Sequence, residues 1–240
     1  MLRPLRTYVR SGALRVIQIA APPRCIECLA AGTWLCQPCL LQLSELPRVH
    51  MLHCPVCGKT AARGLVCRQC REDSMLTGAV SGLPFARPSI RRAVHWLKFR
   101  GLTALAPVLA DFILPVLPSI APMAQLRCEA VFVPLPLHRR RLVARGYNQS
   151  ALLARALSHR SGIPCADLLL RTRATAPQTS LSPTLRGRNV AGAFALLPDS
   201  GTLPAKILVV DDVLTSGSTL MAAASAFPDA PEVWGVTAAR

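Results

Sequence analysis

The chain has 240 residues, 51% of them hydrophobic and 17% charged, with 28 basic against 12 acidic side chains and a formal charge of +16. This composition excludes disorder as the dominant state, and the length holds one large domain or two small ones around a real core. The most apolar stretch, residues 102–120, is broken by Asp111 and by Pro107, Pro115 and Pro118, which excludes a membrane span there.

In chain order, residues 1–22 carry four arginines, and Arg10 and Arg15 interrupt the only apolar core a leader would use. No secretory signal is expected, and the expected compartment is the cytoplasm. Eight of the ten cysteines then follow as four C-x-x-C pairs: Cys25/Cys28, Cys36/Cys39, Cys54/Cys57 and Cys67/Cys70. Two intervening residues let both thiols of a pair face one ion from a tight turn, and two pairs complete the tetrahedral four-thiolate shell that Zn²⁺ favours. Disulfides are disfavoured in a chain without export, and a redox pair would stand alone at a strand–helix junction. The pattern predicts two structural zinc ions. Closure in sequence order, Cys25/Cys28/Cys36/Cys39 then Cys54/Cys57/Cys67/Cys70, is favoured over a cross-brace because each four closes a short loop. His50 and His53 are replacement ligands in principle, but eight thiols already fill two shells. Residues 40–46 read as a short apolar helix.

The polar run Arg71-Glu72-Asp73-Ser74 makes the boundary, giving a zinc-binding region over 1–74 and a second domain over 75–240. Residues 88–117 read as two helices parted by Gly101, with Val94, Leu97, Leu105, Leu109 and Phe112 at helical spacing. Residues 130–134 are a buried strand ended by proline, 150–158 a helix, 206–210 a second buried strand, 218–226 a helix and 233–237 a last strand. Cys128 and Cys165, beside apolar segments, are expected as small buried hydrophobes. Strands alternating with helices predict an α/β fold with a mainly parallel sheet covered on both faces.

Residues 207–219, Ile-Leu-Val-Val-Asp-Asp-Val-Leu-Thr-Ser-Gly-Ser-Thr, run from a buried strand through two carboxylates into a hydroxyl-rich turn and a helix start. Ligands of open α/β sheets bind at the carboxyl ends of such strands. Thr215, Ser216, Gly217, Ser218 and Thr219 offer N–H groups and hydroxyls to an anion at a helix N-terminus, with Gly217 permitting close approach. Asp211 and Asp212 would repel a phosphate directly, and make sense one step away, on ribose hydroxyls or Mg²⁺. A Walker loop and a dinucleotide fingerprint are both absent from the sequence.

This stretch resembles the phosphoribosyl-pyrophosphate (PRPP) motif of type I phosphoribosyltransferases. By that resemblance Asp211 and Asp212 bind the ribose and Thr215 to Thr219 the 5′-phosphate, with Mg²⁺ accompanying PRPP. Val133-Pro-Leu-Pro136, Arg139-Arg-Arg141, Arg145-Gly-Tyr-Asn-Gln149, then Arg173, Gln178, Arg186, Asn189-Val190 and Phe194 resemble the ComF/GntX family. Its members carry C-x-x-C pairs before a phosphoribosyltransferase-like domain, and Leu97-Lys98-Phe99 is similar to its Leu-Lys-Phe segment. The resemblance covers roughly residues 25 to 240. It implies a pyrophosphate loop around Arg139, Arg140, Arg141, Arg145 and Gly146, a hood loop carrying Arg173, Gln178, Arg186 and Asn189, and a type I phosphoribosyltransferase-like sheet.

Between His138 and Asn189 stand ten arginines and a single acid, Asp167, a density that suits phosphate oxygens. Tyr147 and Asn148 either cap the following helix or touch the ligand. With the link to competence and DNA utilisation that the resemblance implies, three functional readings are open: a phosphoribosyltransferase acting in DNA uptake, competence or DNA utilisation; a non-catalytic adaptor for single-stranded DNA and DNA-uptake proteins; and a PRPP-sensing protein without turnover. The acceptor is not named by the sequence.

Overall fold

The computed structural model describes residues 22–46, 52–173, 192–198 and 200–240. The two cysteine-rich turns are built alike. In each, the residue after the second cysteine takes a left-handed conformation, Leu29 at φ 66° and Gly58 at φ 76°. The backbone then closes back, Cys25 N–H on the Ala30 carbonyl (2.8 Å) and Cys54 N–H on Lys59 (2.7 Å). The third cysteine of each four stands just before a short helix: Cys36 before α1 (Gln37–Ser44) and Cys67 before α2 (Arg68–Arg71), so the fourth cysteine falls in the first turn.

Four strands form one parallel sheet: β1 (Gly78–Leu83), β2 (Ala130–Pro134), β5 (Lys206–Val213) and β6 (Glu232–Ala239), in the order β1-β6-β5-β2. Pro134 aligns with Val210, and Asp211 with Thr237, which sets the carboxyl ends of β2 and β5 side by side. Between β1 and β2 run α3 (Pro88–Phe99), α4 (Leu105–Ile113), a 3₁₀ turn (Leu114–Ser119) and α5 (Met123–Glu129). After β2 come α6 (Arg139–Arg145) and α7 (Gln149–Ser161), then an antiparallel pair β3 (Leu169–Arg171) and β4 (Phe194–Leu196). Helix α8 (Ser218–Ala224) links β5 to β6.

Alternation along β5 divides the core in two. Leu208 and Val210 face a cluster with α3, α4 and α7, which Ile26 and Leu43 of the first cysteine region join. Ile207 and Val209 face a cluster with α8 and the β3–β4 pair, which Cys54 and Val66 of the second join. The expected α/β class, with a parallel sheet flanked by helices and preceded by two four-cysteine groups, is what the chain adopts. Among the described residues no single helix is long and apolar enough to cross a membrane. Cys128 departs from expectation: of α5 only Leu126 is buried, and Cys128, two positions on, is exposed. Cys165 is half-buried, and burial pushes its thiol up to about 11.

Candidate ligand cleft and metal sites

The sulfurs of Cys25, Cys28, Cys36 and Cys39 lie within 4.8 Å of one another, and so do those of Cys54, Cys57, Cys67 and Cys70. Grouping therefore follows sequence order. The Cys28–Cys36 and Cys57–Cys67 sulfurs are each 3.6 Å apart, against about 3.8 Å for two thiolates bonded tetrahedrally to one zinc at ~2.3 Å. Each set fits one ion. Burial works against ionising Cys25, but N–H groups of Cys36, Cys28 and Glu27 outweigh it and bring its thiol down to about 6. Cys54 reaches about 7 by the same route, with N–H groups of Cys57, Cys67 and Val56 opposing burial. His53 stands outside both shells, and His50 lies outside the described residues.

At the carboxyl ends of β2 and β5 opens a cleft of about 630 Å³. Its floor is the acid pair. The two carboxylates meet different helices, α7 and α3, which pack on the same face of the sheet. Asp211 Oδ1 accepts from Ser150 Oγ of α7 (3.0 Å) and from the Asp212 N–H (2.8 Å). Asp212 turns to α3, with Oδ1 2.9 Å from Lys98 Nζ. Burial, and next the Asp212 charge, push Asp211 up to about 7, against the pull of Lys98 and its hydrogen bonds. Asp212 is 3% exposed, and its Oδ2 is buried with no hydrogen-bond partner among the described residues. Such an oxygen is costly unless a donor or cation meets it.

The hydroxyl-rich turn closes one side. Thr215 and Thr219 line the cleft, the Ser216 and Ser218 hydroxyls bond each other at 2.7 Å, and Gly217 takes φ 71°. Also lining the cleft is α6, a helix where a loop is expected from the sequence. Helical spacing sorts its arginines: Arg141 and Arg145, four apart, line the cleft, whereas Arg139 and Arg140 are exposed outside it. Arg145 bonds Gln149 and stacks over Phe99 at 5.1 Å, and Gly146 ends α6 in a left-handed conformation. Asn148 caps α7 through the Ser150 N–H (3.0 Å) and pins the Leu135 carbonyl (2.9 Å). Tyr147 lines the cleft and donates to the Leu97 carbonyl.

Several lining residues fall outside the expected set, Lys98, Ser150 and Arg171 among them. Lys98 belongs to the Leu-Lys-Phe segment but has no role that the sequence alone suggests, and Ser150 and Arg171 come from elements whose approach only the sheet order reveals. Of the expected hood residues Arg173 is exposed, while Gln178, Arg186 and Asn189 lie outside the described residues.

No family model matches the chain. Among curated proteins it is similar to DNA utilization protein YhgH of Salmonella typhimurium, 35% identical over 84% of this chain and 89% of that protein. It is 30% identical to Competence protein F of Haemophilus influenzae, over 82% of this chain and 87% of that one. Competence protein ComFC of Bacillus subtilis is 25% identical over 75% and 73%.

Proposed function

Because this chain belongs to the family of DNA utilization protein YhgH and competence protein F, we propose that it acts in DNA uptake or utilisation, in the cytoplasm, and that its cleft binds Mg²⁺-PRPP. Residues 1–74 form the zinc-binding region in this reading, and 75–240 the phosphoribosyltransferase-like domain. The observation that carries the ligand assignment is the buried Asp212 Oδ2, without a hydrogen-bond partner among the described residues, in a cleft whose polar lining is mainly arginine, lysine and hydroxyl groups. A buried acid beside cationic groups suits a ligand that is anionic at its ends and rich in hydroxyls, or cation-bearing, at its middle.

Asp211 and Asp212 hold the ribose hydroxyls and are the residues that would hold Mg²⁺, whose bound charge offsets that of the pyrophosphate. Thr215, Ser216, Gly217, Ser218 and Thr219 receive the 5′-phosphate. Arg141 and Arg145 face the pyrophosphate and stabilise its charge as it leaves, the electrostatic role that dominates such sites. The two zinc ions are structural. The activity is that of a phosphoribosyltransferase-type glycosyltransferase. A second reading has its own observation: Arg139 and Arg140 are exposed away from the cleft, where they suit the backbone of single-stranded DNA.

Calorimetry with Mg²⁺-PRPP, followed by a pyrophosphate assay across nucleobases and single-stranded DNA, tests these assignments. Mg²⁺-dependent binding with pyrophosphate release is the expected result. Binding without release makes the protein a PRPP sensor, and no binding removes the ligand assignment.

A further inference from the structure

The turn between β5 and α8 does not stand alone at the cleft. At Gly217 a Cβ would overlap the Pro55 carbonyl and lie 3.6 Å from the Val56 Cα. Pro55 and Val56 are the two residues between Cys54 and Cys57, so this turn rests directly on the second cysteine shell. Arg240, just beyond β6, makes a second tie. Its guanidinium donates to the His53 and Cys54 carbonyls, both at 2.8 Å, while its own N–H is held by the Leu83 carbonyl at 3.0 Å. A third tie is apolar: Cys54, Val66, Leu214 and Leu220 share one buried cluster. The first shell has no part in this. Ile26 and Leu43 join the cluster on the other face of the sheet, and Glu27 and Ile26 are tied to Arg87 and Arg92 of the α3 end remote from Lys98.

We propose that the second cysteine knuckle is a wall of the ligand cleft, with Pro55 and Arg240 positioning residues 215–219, so that metal in Cys54/Cys57/Cys67/Cys70 and ligand in the cleft are thermodynamically coupled. The inference rests on the reading of this cleft as a Mg²⁺-PRPP site. The route is short and rigid. Metal fixes the 54–57 turn, that turn fixes Gly217 by contact, and Gly217 sets the hydroxyls of Thr215 and Thr219 at the cleft edge. A knuckle without metal loses the turn geometry and with it the surface that Gly217 leans on. Coupling of binding free energies is reciprocal, so a ligand that orders 215–219 must also retain the metal. One zinc ion thereby reports on the ligand and the other does not.

The test uses the full chain loaded with two equivalents of zinc, challenged with a chromophoric chelator with and without saturating Mg²⁺-PRPP. Ligand is expected to slow release of one equivalent by about fivefold or more and to leave the other unchanged. Cys57→Ser is expected to weaken Mg²⁺-PRPP binding by a similar factor and Cys28→Ser to change it less than about twofold. Arg240→Met, which touches neither ligand nor metal, is expected to weaken ligand binding and lessen the ligand's protection of zinc. Equal protection of both equivalents, or of neither, in a protein that binds Mg²⁺-PRPP overturns the coupling. If the parent protein binds no Mg²⁺-PRPP, the reading of the cleft fails on its own, and Gly217→Ala still decides the wall. That change must speed zinc release from the second shell although Gly217 is no ligand to it, and unchanged release overturns the contact as a support.

Discussion

Asp211 carries the clearest pH signature. Burial and the neighbouring Asp212 raise it from 3.8 to about 7. Between those values the folded protein keeps a proton that the unfolded chain has released, so stability falls as pH rises across this window and is flat above it. Asp211→Asn should therefore be more stable than the parent at pH 8, with the difference closing toward pH 4, as urea midpoints at the two pH values will show. Ligand binding has the opposite sign, because ribose hydroxyls and Mg²⁺ need the ionised carboxylate. Mg²⁺-PRPP affinity should rise up to about pH 7 and then level off, with proton release visible as buffer-dependent enthalpy in calorimetry. Leu29 offers a contrast in which no charge is involved. It holds a left-handed conformation that Gly58 supplies without strain in the sister turn. Leu29→Gly should stabilise the metal-loaded protein by about 0.5–1 kcal/mol in urea titration, the left-handed penalty less the added freedom of glycine when unfolded.

Among elements, α6 carries the arginines proposed to meet the pyrophosphate and is the least legible in the sequence. Residues 139–145 show no apolar stripe, and indeed none of the helix is buried, so periodicity has nothing to reveal. Its helical winding separates two tasks that the sequence lumps together. Arg141→Ala should weaken Mg²⁺-PRPP binding at fixed salt. Arg139→Ala with Arg140→Ala should leave that affinity within about twofold and instead flatten the salt dependence of single-stranded DNA binding, by roughly 0.7 in log–log slope for each phosphate no longer neutralised. An Arg139→Ala, Arg140→Ala double change that weakens Mg²⁺-PRPP binding as much as Arg141→Ala does would remove the division. Strand β1 escapes the sequence for a different reason. Its residues, Gly-Ala-Val-Ser-Gly-Leu, are small because Gly78 lies under the Trp234 ring and Gly82 against the Phe112 backbone, a packing constraint without periodicity. By contrast β2, β5, β6, α3, α4 and α7 are readable from apolar runs, and the acid pair with its hydroxyl turn stands in one contiguous stretch. Lys98, Ser150 and Arg171 are not readable as a set, since three separate elements deliver them to Asp211 and Asp212.

At the scale of the whole molecule, the two cysteine regions enter the two halves of the core, so removing both metal ions should lower the stability of both halves. Metal analysis should give two equivalents of zinc, and stripping them should lower a single cooperative thermal transition. A loss of about 4 kcal/mol would move the midpoint by about 8–16 °C at this chain length. Two separate transitions, with the main one unmoved, would show that the knuckles are independent appendages. The strand order carries one more consequence. β6 follows every other strand in the chain yet lies inside the sheet, between β1 and β5. During synthesis β1 must therefore wait, with its ladder unmade, while some 150 residues are added, and the long-range pairing that completes the sheet comes at the end. Translation that stops before residue 232 leaves a gap at the centre of the sheet and two unpaired edges, a nascent chain fit for chaperone capture or degradation and unable to fold halfway.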